Sequence, residues 1–396
     1  MTNRKLPEED PQTWLAGIGF EIQTARPVAP PIYQTSTFWA SDAGEFLDMA
    51  TAARHSAFYT RYGNPTVRLL EDAVAHLEGG EAAIATASGM AAMVAAVLTF
   101  AGAGKHMIAQ HALYGGTTGF LRKIAPRLGI GLDLFDQQDF ESFAAALKPE
   151  TSLILLESPT NPLLRLTDIA TLSAHARSVC DAMILIDNTL ATPINQRPLT
   201  LGADLVMHSI TKSIGGHSDV SGGILVGSIA HVTAVWQTAY LLGATLDPFA
   251  AWLALRGLRT LPLRVAQHNS SALKVASRLE GHRKVKTVHY PGLKSHPQFE
   301  LARRQMRGAG GVLSFEVEGG MHGAEVVMAE MKLAHRSASF GSFSTLAVHP
   351  AAMWAGMMNE EQLLEAGLPA GLVRIGVGLE DPDRISEDIE VALDHV

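Results

Sequence analysis

The chain has 396 residues, of which 47% are hydrophobic and 18% are charged. This length exceeds one ordinary core and predicts one large and one smaller domain. The formal net charge of −8 disfavours a dedicated nucleic-acid binder, and the single cysteine, Cys180, excludes an internal disulfide framework. The first ten residues carry charges with no apolar stretch behind them, unlike a signal peptide. We therefore expect a globular, cytoplasmic enzyme.

Prolines and turn residues dominate the first 65 residues, notably at 26–31 and 63–65. Because proline holds the chain in extended geometry, residues 1–65 are predicted to form an extended arm. The next notable segment, 82–104, has no charge over 23 residues, which is long enough to span a bilayer. Its Ala, Gly, Ser and Thr content would transfer poorly into lipid, so we interpret it as a core element.

From residue 66 the pattern alternates between helix and strand. Helical periodicity predicts helices at 67–77, 90–100 and 169–180. Short apolar runs predict buried strands at 106–109, 152–156, 183–186 and 204–207. This alternation predicts an α/β fold with a mostly parallel sheet covered on both faces, in which ligands gather at the carboxyl ends of the strands.

A change in composition near residues 252–262 indicates a second domain. Lys and Arg are concentrated in 256–307, and Asp and Glu from 360 onward. We interpret both runs as solvated helix faces rather than as a polyanion site. Apolar runs at 311–317 and 372–377 predict a small sheet there. The predicted organisation is an arm at 1–65, a large domain at 66–255 and a smaller α+β domain at 256–396.

Two adjacent strand ends carry an acid and a lysine. Asp187 follows the run 183–186, and Lys212 lies shortly after the run 204–207. A buried acid requires a cationic partner, and a desolvated lysine becomes a better nucleophile. Pyridoxal 5'-phosphate (PLP) needs both, a lysine for its aldehyde and an acid for its ring nitrogen. A purely structural Asp187–Lys212 ion pair is the alternative.

Other residues suit the remaining parts of such a cofactor. Gly89 and Met90 follow a Ser at a predicted helix start, where free amides attract a phosphate. Ser209 and Thr211 would add hydroxyl donors. Tyr114, followed by two glycines, has a ring that could stack on a flat cofactor. The alternatives are an ordinary helix cap and plain packing.

Two arginines also need partners. Arg61 lies in the arm, and Arg374 interrupts an apolar strand, where an unpaired guanidinium is costly. The carboxylate of an amino-acid substrate would satisfy Arg374, and a salt bridge within its own domain is the alternative. No His-Glu-x-x-His pattern occurs and a cysteine-rich site is impossible, so no metal site is predicted.

The ordered motifs give the chain a family resemblance. It resembles the cysteine/methionine-metabolism (transsulfuration) group of PLP-dependent enzymes, which includes cystathionine β- and γ-lyases, cystathionine γ-synthase, methionine γ-lyase and homoserine sulfhydrylases. The most specific match is HSITKSIGGHSD at 208–219. Further matches follow along nearly the whole chain at 30–38, 59–66, 87–90, 157–162, 187–189, 256–261 and 372–381.

The resemblance implies a fold-type-I, aspartate-aminotransferase-like architecture and a role for each residue singled out. Lys212 would bind PLP covalently, Asp187 would pair with its ring nitrogen, and Tyr114 would stack on the ring and assist proton transfer. The other implied contacts are Gly89, Met90, Ser209 and Thr211 to the phosphate, Tyr59 and Arg61 to that phosphate from a neighbouring subunit, Asn161 to the ring oxygen, and Ser339 and Arg374 to the substrate carboxylate. A homotetramer of two catalytic dimers is also implied.

The reaction is less clearly indicated than the family. Family members that act on cystathionine at Cγ usually have a Glu where this chain has Ala338, and methionine γ-lyases usually have a Cys where it has Gly116. Phe340 places an aromatic beside Ser339, as in some β-lyases. We therefore expect a carbon–sulfur lyase of cystathionine or a related thioether amino acid. The alternatives are a γ-replacement enzyme (cystathionine γ-synthase or O-acyl-homoserine sulfhydrylase), a methionine γ-lyase, and a cofactor-bound scaffold without activity.

Overall fold

Two β-sheets organise the residues that the computed structural model describes, which are 10–17, 26–353 and 367–396. The larger sheet has the strand order β1-β7-β6-β5-β4-β2-β3. Strand β7 is antiparallel to both of its neighbours, and the other pairs are parallel, which confirms the predicted mostly parallel sheet. Its strands are β1 (Ala82–Thr86), β2 (His106–Gln110), β3 (Gly131–Phe135), β4 (Thr151–Glu157), β5 (Met183–Asp187), β6 (Leu205–Ser209) and β7 (Gly223–Gly227).

Helices cover both faces of the larger sheet, because its central strands are apolar on both sides. On one face, α4 and α9 pack through side chains such as Val97 and Val232. On the other, α3 and α10 pack through Leu70 and Leu255. The helices up to this point in the chain are α1 (Pro11–Gly17), α2 (Ala43–Thr51), α3 (Pro65–Glu78), α4 (Gly89–Phe100), α5 (Gly115–Lys123), α6 (Phe140–Ala146), α7 (Ile169–Val179), α8 (Thr192–Asn195), α9 (Ile229–Leu241) and α10 (Pro248–Leu258).

The smaller sheet has the order β10-β11-β12-β9-β8 and packs against α11, α13 and α14. Strand β12 is antiparallel to both β9 and β11, so Arg374, the residue at its centre, lies between two neighbouring strands of the sheet. The elements of this part are α11 (Leu261–Glu280), β8 (Val285–His289), α12 (Phe299–Gln305), β9 (Val312–Val317), α13 (Gly320–Glu330), β10 (His335–Arg336), β11 (Leu346–Val348), β12 (Leu372–Gly376) and α14 (Pro382–Leu393).

The charge-free segment 82–104 contains β1 and α4, both packed in the core. None of the helices in the described ranges has the length and apolar character needed to cross a membrane. The strands of the larger sheet lie within residues 82–227, and those of the smaller sheet lie within residues 285–376. Domain boundaries near residues 65 and 255 fall outside both ranges and remain our proposal.

The arm is less extended than the sequence suggests. It contains α2, which starts because the Asp42 carboxylate accepts hydrogen bonds from the backbone N–H groups of Gly44 and Glu45. The arm is anchored by a buried ion pair in which the Arg54 guanidinium lies 3.3 Å from the Glu71 carboxylate on α3. Because prolines and turns flank α2, the composition of the arm did not predict this helix.

Candidate active site

The carboxyl ends of three neighbouring strands bring the predicted acid and lysine to one edge of the larger sheet. Asp187 ends β5 and pairs in register with Met207 of β6 and with Glu157 of β4. Strand β6 runs directly into a tight turn, Ile210–Ile214, which carries Lys212. The sheet therefore brings Asp187 and the turn that carries Lys212 to the same edge, as the positions of the two strand ends predicted.

Lys212 points to a residue of the smaller domain. Its Nζ donates a hydrogen bond to the Oγ of Ser339 at 2.9 Å and lies 5.1 Å from the centre of the Phe340 ring. Burial lowers the pKa of the Lys212 amine, and the nearby Arg374 cation lowers it further. An amine in this environment is more available as a base and nucleophile than a solvated lysine.

Arg374 is buried, and both of the hydrogen bonds that it donates to described residues go to neutral acceptors. Its Nη1 donates to the Oδ1 of Asn161 at 2.9 Å, and its Nη2 donates to the backbone oxygen of Ser339 at 3.0 Å. Its Nε has no hydrogen-bond partner, and burial lowers its pKa to about 10. None of the ion pairs among the described residues includes Arg374, so this part of the chain gives no support for the alternative of a salt bridge within its own domain. The guanidinium retains capacity for an incoming carboxylate.

Asp187 is likewise buried, at the end of β5. Its Oδ1 accepts from the backbone N–H of Thr189 at 3.0 Å and from the Thr189 hydroxyl at 2.5 Å. Burial raises the pKa of the Asp187 carboxyl, and the Thr189 hydrogen bonds partly oppose the shift. No Lys or Arg of the described residues forms an ion pair with it, so the purely structural Asp187–Lys212 pair does not exist.

Glu157 is a second acid at this edge that sequence reasoning did not single out. One of its carboxylate oxygens accepts the backbone N–H of Tyr114 at 2.7 Å, and the other accepts that of Asn161 at 3.3 Å. Burial raises the pKa of Glu157 well above its usual range, and the neighbouring Asp187 raises it further. Its position as the last residue of a buried strand, like that of Asp187, was the available signal.

The predicted phosphate-binding residues gather where α4 begins. The Ser88 side chain caps α4 by accepting from the backbone N–H of Ala91, which leaves the first amides of the helix for a ligand. Gly89 lies directly against Ser209, since a Cβ at position 89 would be 3.1 Å from the Ser209 Cβ. The Thr211 hydroxyl accepts from the backbone N–H of Gly222 at 3.1 Å.

Tyr114 immediately precedes α5, and its side chain is 50% exposed. Its ring and the Met90 sulfur both lie beside Gly116, because a Cβ at position 116 would be 2.6 Å from the Tyr114 Cε1 and 3.0 Å from the Met90 Sδ. The absence of a side chain at 116 therefore sets the space for this ring. Tyr114 and Met90 thus belong to one surface at the start of α4.

Tyr59 and Arg61 lie apart from Lys212 within the same chain. The Arg61 guanidinium is 5.5 Å from the centre of the Tyr59 ring and 5.1 Å from that of Tyr62, and it donates to the backbone oxygen of Tyr240 at 3.5 Å. The structure therefore does not bring these two arm residues to the remaining candidates. Their contribution from a neighbouring subunit remains a prediction.

The arrangement fits the chemistry of PLP. A buried acid without a cation suits a protonated ring nitrogen, the start of α4 suits a phosphate, and a desolvated amine suits an aldehyde. The residues that would hold PLP are Lys212, Asp187, Tyr114, Asn161, Gly89, Met90, Ser209 and Thr211. Within the described ranges, no group of three or more His, Cys, Asp and Glu is arranged to hold a metal ion.

Known proteins with similar sequences share a PLP-dependent family. The model of the Cys/Met metabolism PLP-dependent enzymes matches residues 12–394. An L-methionine gamma-lyase of Treponema denticola is 41% identical over 93% of this chain and 93% of its own length. The chloroplastic cystathionine gamma-synthase 1 of Arabidopsis thaliana is also 41% identical, over 93% of this chain, which spans 66% of that longer protein.

Solved structures agree with this likeness. The cystathionine gamma synthase of Xanthomonas oryzae pv. oryzae, in complex with aminoacrylate and cysteine, superimposes with a TM-score of 0.92 at 36% identity, covering 98% of each chain. The predicted fold-type-I architecture is thereby confirmed. Together with the match over residues 12–394, these similarities establish that the chain belongs to the Cys/Met metabolism family of PLP-dependent enzymes.

Proposed function

We propose that the protein is a PLP-dependent carbon–sulfur lyase that eliminates a thiol from a thioether amino acid such as cystathionine. The observation that carries the proposal is the position of Arg374. Its guanidinium is buried, has no carboxylate partner among the described residues, and is linked through Ser339 to the amine of Lys212. An amino acid whose carboxylate binds Arg374 would therefore present its Cα near that amine.

Each candidate residue would have a separate role in such an elimination. PLP, when bound, supplies the electron sink for the charge that develops at Cα. Lys212, with its lowered pKa, would accept the Cα proton, and Ser339 holds its Nζ at 2.9 Å. Asp187 would stabilise a protonated ring nitrogen from a buried position. Tyr114 or Lys212 would deliver a proton to the departing thiolate, and elimination at Cγ needs removal of a Cβ proton first.

Two sets of relatives support different outcomes for the sulfur. The 41% identical methionine gamma-lyase of Treponema denticola supports cleavage of a thioether. The cystathionine gamma synthase structure, which covers 98% of the chain, supports a second candidate, γ-replacement on an activated homoserine by a thiol. In this chain both reactions would rely on PLP and on Arg374 for the substrate carboxylate, so product identity distinguishes them.

The experiment combines spectroscopy with product analysis. The purified protein should absorb near the violet edge of the visible range, and Lys212→Ala should lose that band if the lysine holds the cofactor. Release of pyruvate from cystathionine would indicate β-elimination, and 2-oxobutyrate would indicate γ-elimination. Cystathionine formed from an acylated homoserine and cysteine would instead establish replacement. A protein with no PLP-dependent product from any of these substrates would overturn the proposal.

We propose in addition that the active unit is a dimer, assembled into a homotetramer. The arm exposes large apolar side chains, including Trp39 at 86% and Leu47 at 60%, which a second copy would cover. Tyr59 and Arg61 lie in the same arm, where Arg61 contacts the Tyr59 ring and the backbone oxygen of Tyr240 on α9. Arg61→Ala should then release cofactor while the oligomer, measured by light scattering, persists. Unchanged cofactor content in that variant would contradict a shared site.

A further inference from the structure

The Glu157 side chain joins two parts of the candidate site. It receives the backbone N–H of Tyr114, which precedes α5, at 2.7 Å, and that of Asn161, in the loop after β4, at 3.3 Å. Both donors are backbone groups, so the carboxylate fixes where these two segments run. Only 2% of Glu157 is exposed, so solvent competes little for either bond.

The connection continues from Asn161 toward the lysine. The Oδ1 of Asn161 accepts from the Nη1 of Arg374 at 2.9 Å, and the Nη2 of Arg374 donates to the backbone oxygen of Ser339 at 3.0 Å. The Oγ of Ser339 in turn accepts from the Nζ of Lys212 at 2.9 Å. Residues far apart in sequence thus form one continuous set of hydrogen bonds, which has Glu157 near one end and Lys212 at the other.

A carboxylate at this position is costly for the fold. Glu157 is paired in register with Asp187, and both acids are buried. Two adjacent buried carboxyls oppose each other's ionisation, and burial disfavours the charge of each. An apolar side chain would fill the same volume without this cost, so an acid here indicates a role in the site rather than in packing.

We propose that Glu157 is a positioning residue, which fixes Tyr114 for stacking on the cofactor and Asn161 for its own contact with the cofactor, and through Asn161 fixes Arg374 for binding the substrate carboxylate. This inference rests on the proposed function, since it assumes that PLP is bound at Lys212. It assigns Glu157 no contact with substrate or cofactor. Its effect is confined to where the contacting residues are held.

Two substitutions separate this role from general stability. Glu157→Gln keeps the length of the side chain but retains one acceptor oxygen, and Glu157→Ala removes both. The matched control is Asp388→Asn, because the Asp388 carboxylate also accepts backbone N–H groups, those of Lys332, Leu333 and Ala334, but lies on α14. The measurements are the affinity of the apo-protein for PLP, followed by absorbance, and the separate values of kcat and KM.

For Glu157→Ala we expect about a tenfold loss of PLP affinity and about a tenfold rise in KM, with a smaller change in kcat, since the two buried hydrogen bonds from Tyr114 and Asn161 are lost. Glu157→Gln should lie between Glu157→Ala and the parent. Asp388→Asn should lower the melting temperature and leave the PLP affinity and KM unchanged. If Glu157→Ala does not fold, Glu157→Gln is the deciding variant. We expect it to raise the dissociation constant for PLP and the KM about threefold each.

The failure of this inference differs from that of the proposed function. A parent protein without an absorbance band that Lys212→Ala removes would overturn both. A parent with that band, accompanied by Glu157 variants that match it in PLP affinity and KM, would overturn the role of Glu157 alone. Equal effects of Asp388→Asn and Glu157→Gln on PLP affinity would also overturn it, because the effect would then follow from stability.

Discussion

Arg374 donates to the amide oxygen of Asn161 at 2.9 Å, and it forms no ion pair with a carboxylate in the part of the chain that the structure describes. A neutral acceptor balances the guanidinium only partly, and its Nε has no partner. The unpaired positive charge, held 5% exposed in the centre of β12, is therefore the feature that selects for an anionic substrate group.

Removal of the Arg374 charge should weaken substrate binding more than it slows the chemical step. We expect Arg374→Gln to raise KM about 10- to 100-fold, because a charge-assisted pair with the carboxylate is lost. Steady-state kinetics would check this, with the decarboxylated amine analogue of the substrate as the comparison. The parent enzyme should use that analogue poorly, and the variant should lose little further activity on it. A KM unchanged by Arg374→Gln would assign the carboxylate to another residue.

The larger sheet and the positions of Asp187 and Lys212 at its edge could be predicted from local sequence pattern, whereas the complete site could not. Buried strand runs followed by Asp187 and Lys212 are visible in sequence because neighbouring parallel strands end at one edge. The contact of Lys212 with Ser339 joins residues 127 positions apart, and that of Arg374 with Asn161 spans 213. No periodicity encodes such distances, so Ser339 and Asn161 were identified only through resemblance, and the partners of Lys212 and Arg374 were not visible in the local pattern.

Strand β7 shows a second reason why local pattern fails. It is the antiparallel strand between β1 and β6, and its first residue, Gly223, follows another glycine and a serine. Glycines lower the apparent strand propensity of the segment. Here Gly223 is needed for a close approach, because a Cβ would be 2.2 Å from the backbone oxygen of Ser88. Packing against α4 therefore overrides propensity.

This close approach makes Gly223 testable. Gly223→Ala should push β7 away from Ser88 and Gly89, displacing the amides that receive the phosphate and lowering PLP affinity about tenfold. Gly227→Ala is the matched control, because a Cβ there would be 2.7 Å from the backbone oxygen of Asp204 at the opposite end of the same strand. Both variants should lose stability in thermal melts, but only Gly223→Ala should lose cofactor. Equal PLP affinity in the two variants would contradict the assignment of the phosphate to this turn.

Gly116 offers a test of the ring of Tyr114. Gly116→Ala would place a Cβ 2.6 Å from the Tyr114 Cε1, and the half-exposed ring would rotate away. We expect PLP affinity to fall about three- to tenfold, the contribution of one stacked aromatic pair. Gly119→Ala, in the same helix α5, meets nothing within 4 Å and should leave the affinity unchanged. The absorbance titration of each apo-protein with PLP measures the difference, and a Gly116→Ala protein with the parent affinity would show that the ring does not contact the cofactor.

His268 predicts how stability depends on pH. Burial and, to a smaller extent, the nearby Arg264 cation lower the pKa of His268 from 6.5 to about 4, although a hydrogen bond that the imidazole donates to the Ser342 backbone and the charge of Glu380 oppose the shift. The folded state therefore keeps this imidazole neutral, whereas the unfolded chain takes up a proton below pH 6.5. The stability present above that pH is lost progressively as the pH falls toward 4.

The variant His268→Gln isolates this effect, because the remaining groups titrate equally in both proteins. Between pH 7 and pH 5 the parent should lose about 2 kcal/mol more of its free energy of unfolding than the variant. Urea titrations at the two pH values, on protein loaded with PLP, give the four free energies required. Parallel pH profiles for parent and variant would mean that His268 is protonated alike in the folded and unfolded states. A larger loss in the variant would reverse the sign and assign a charged imidazole to the folded protein.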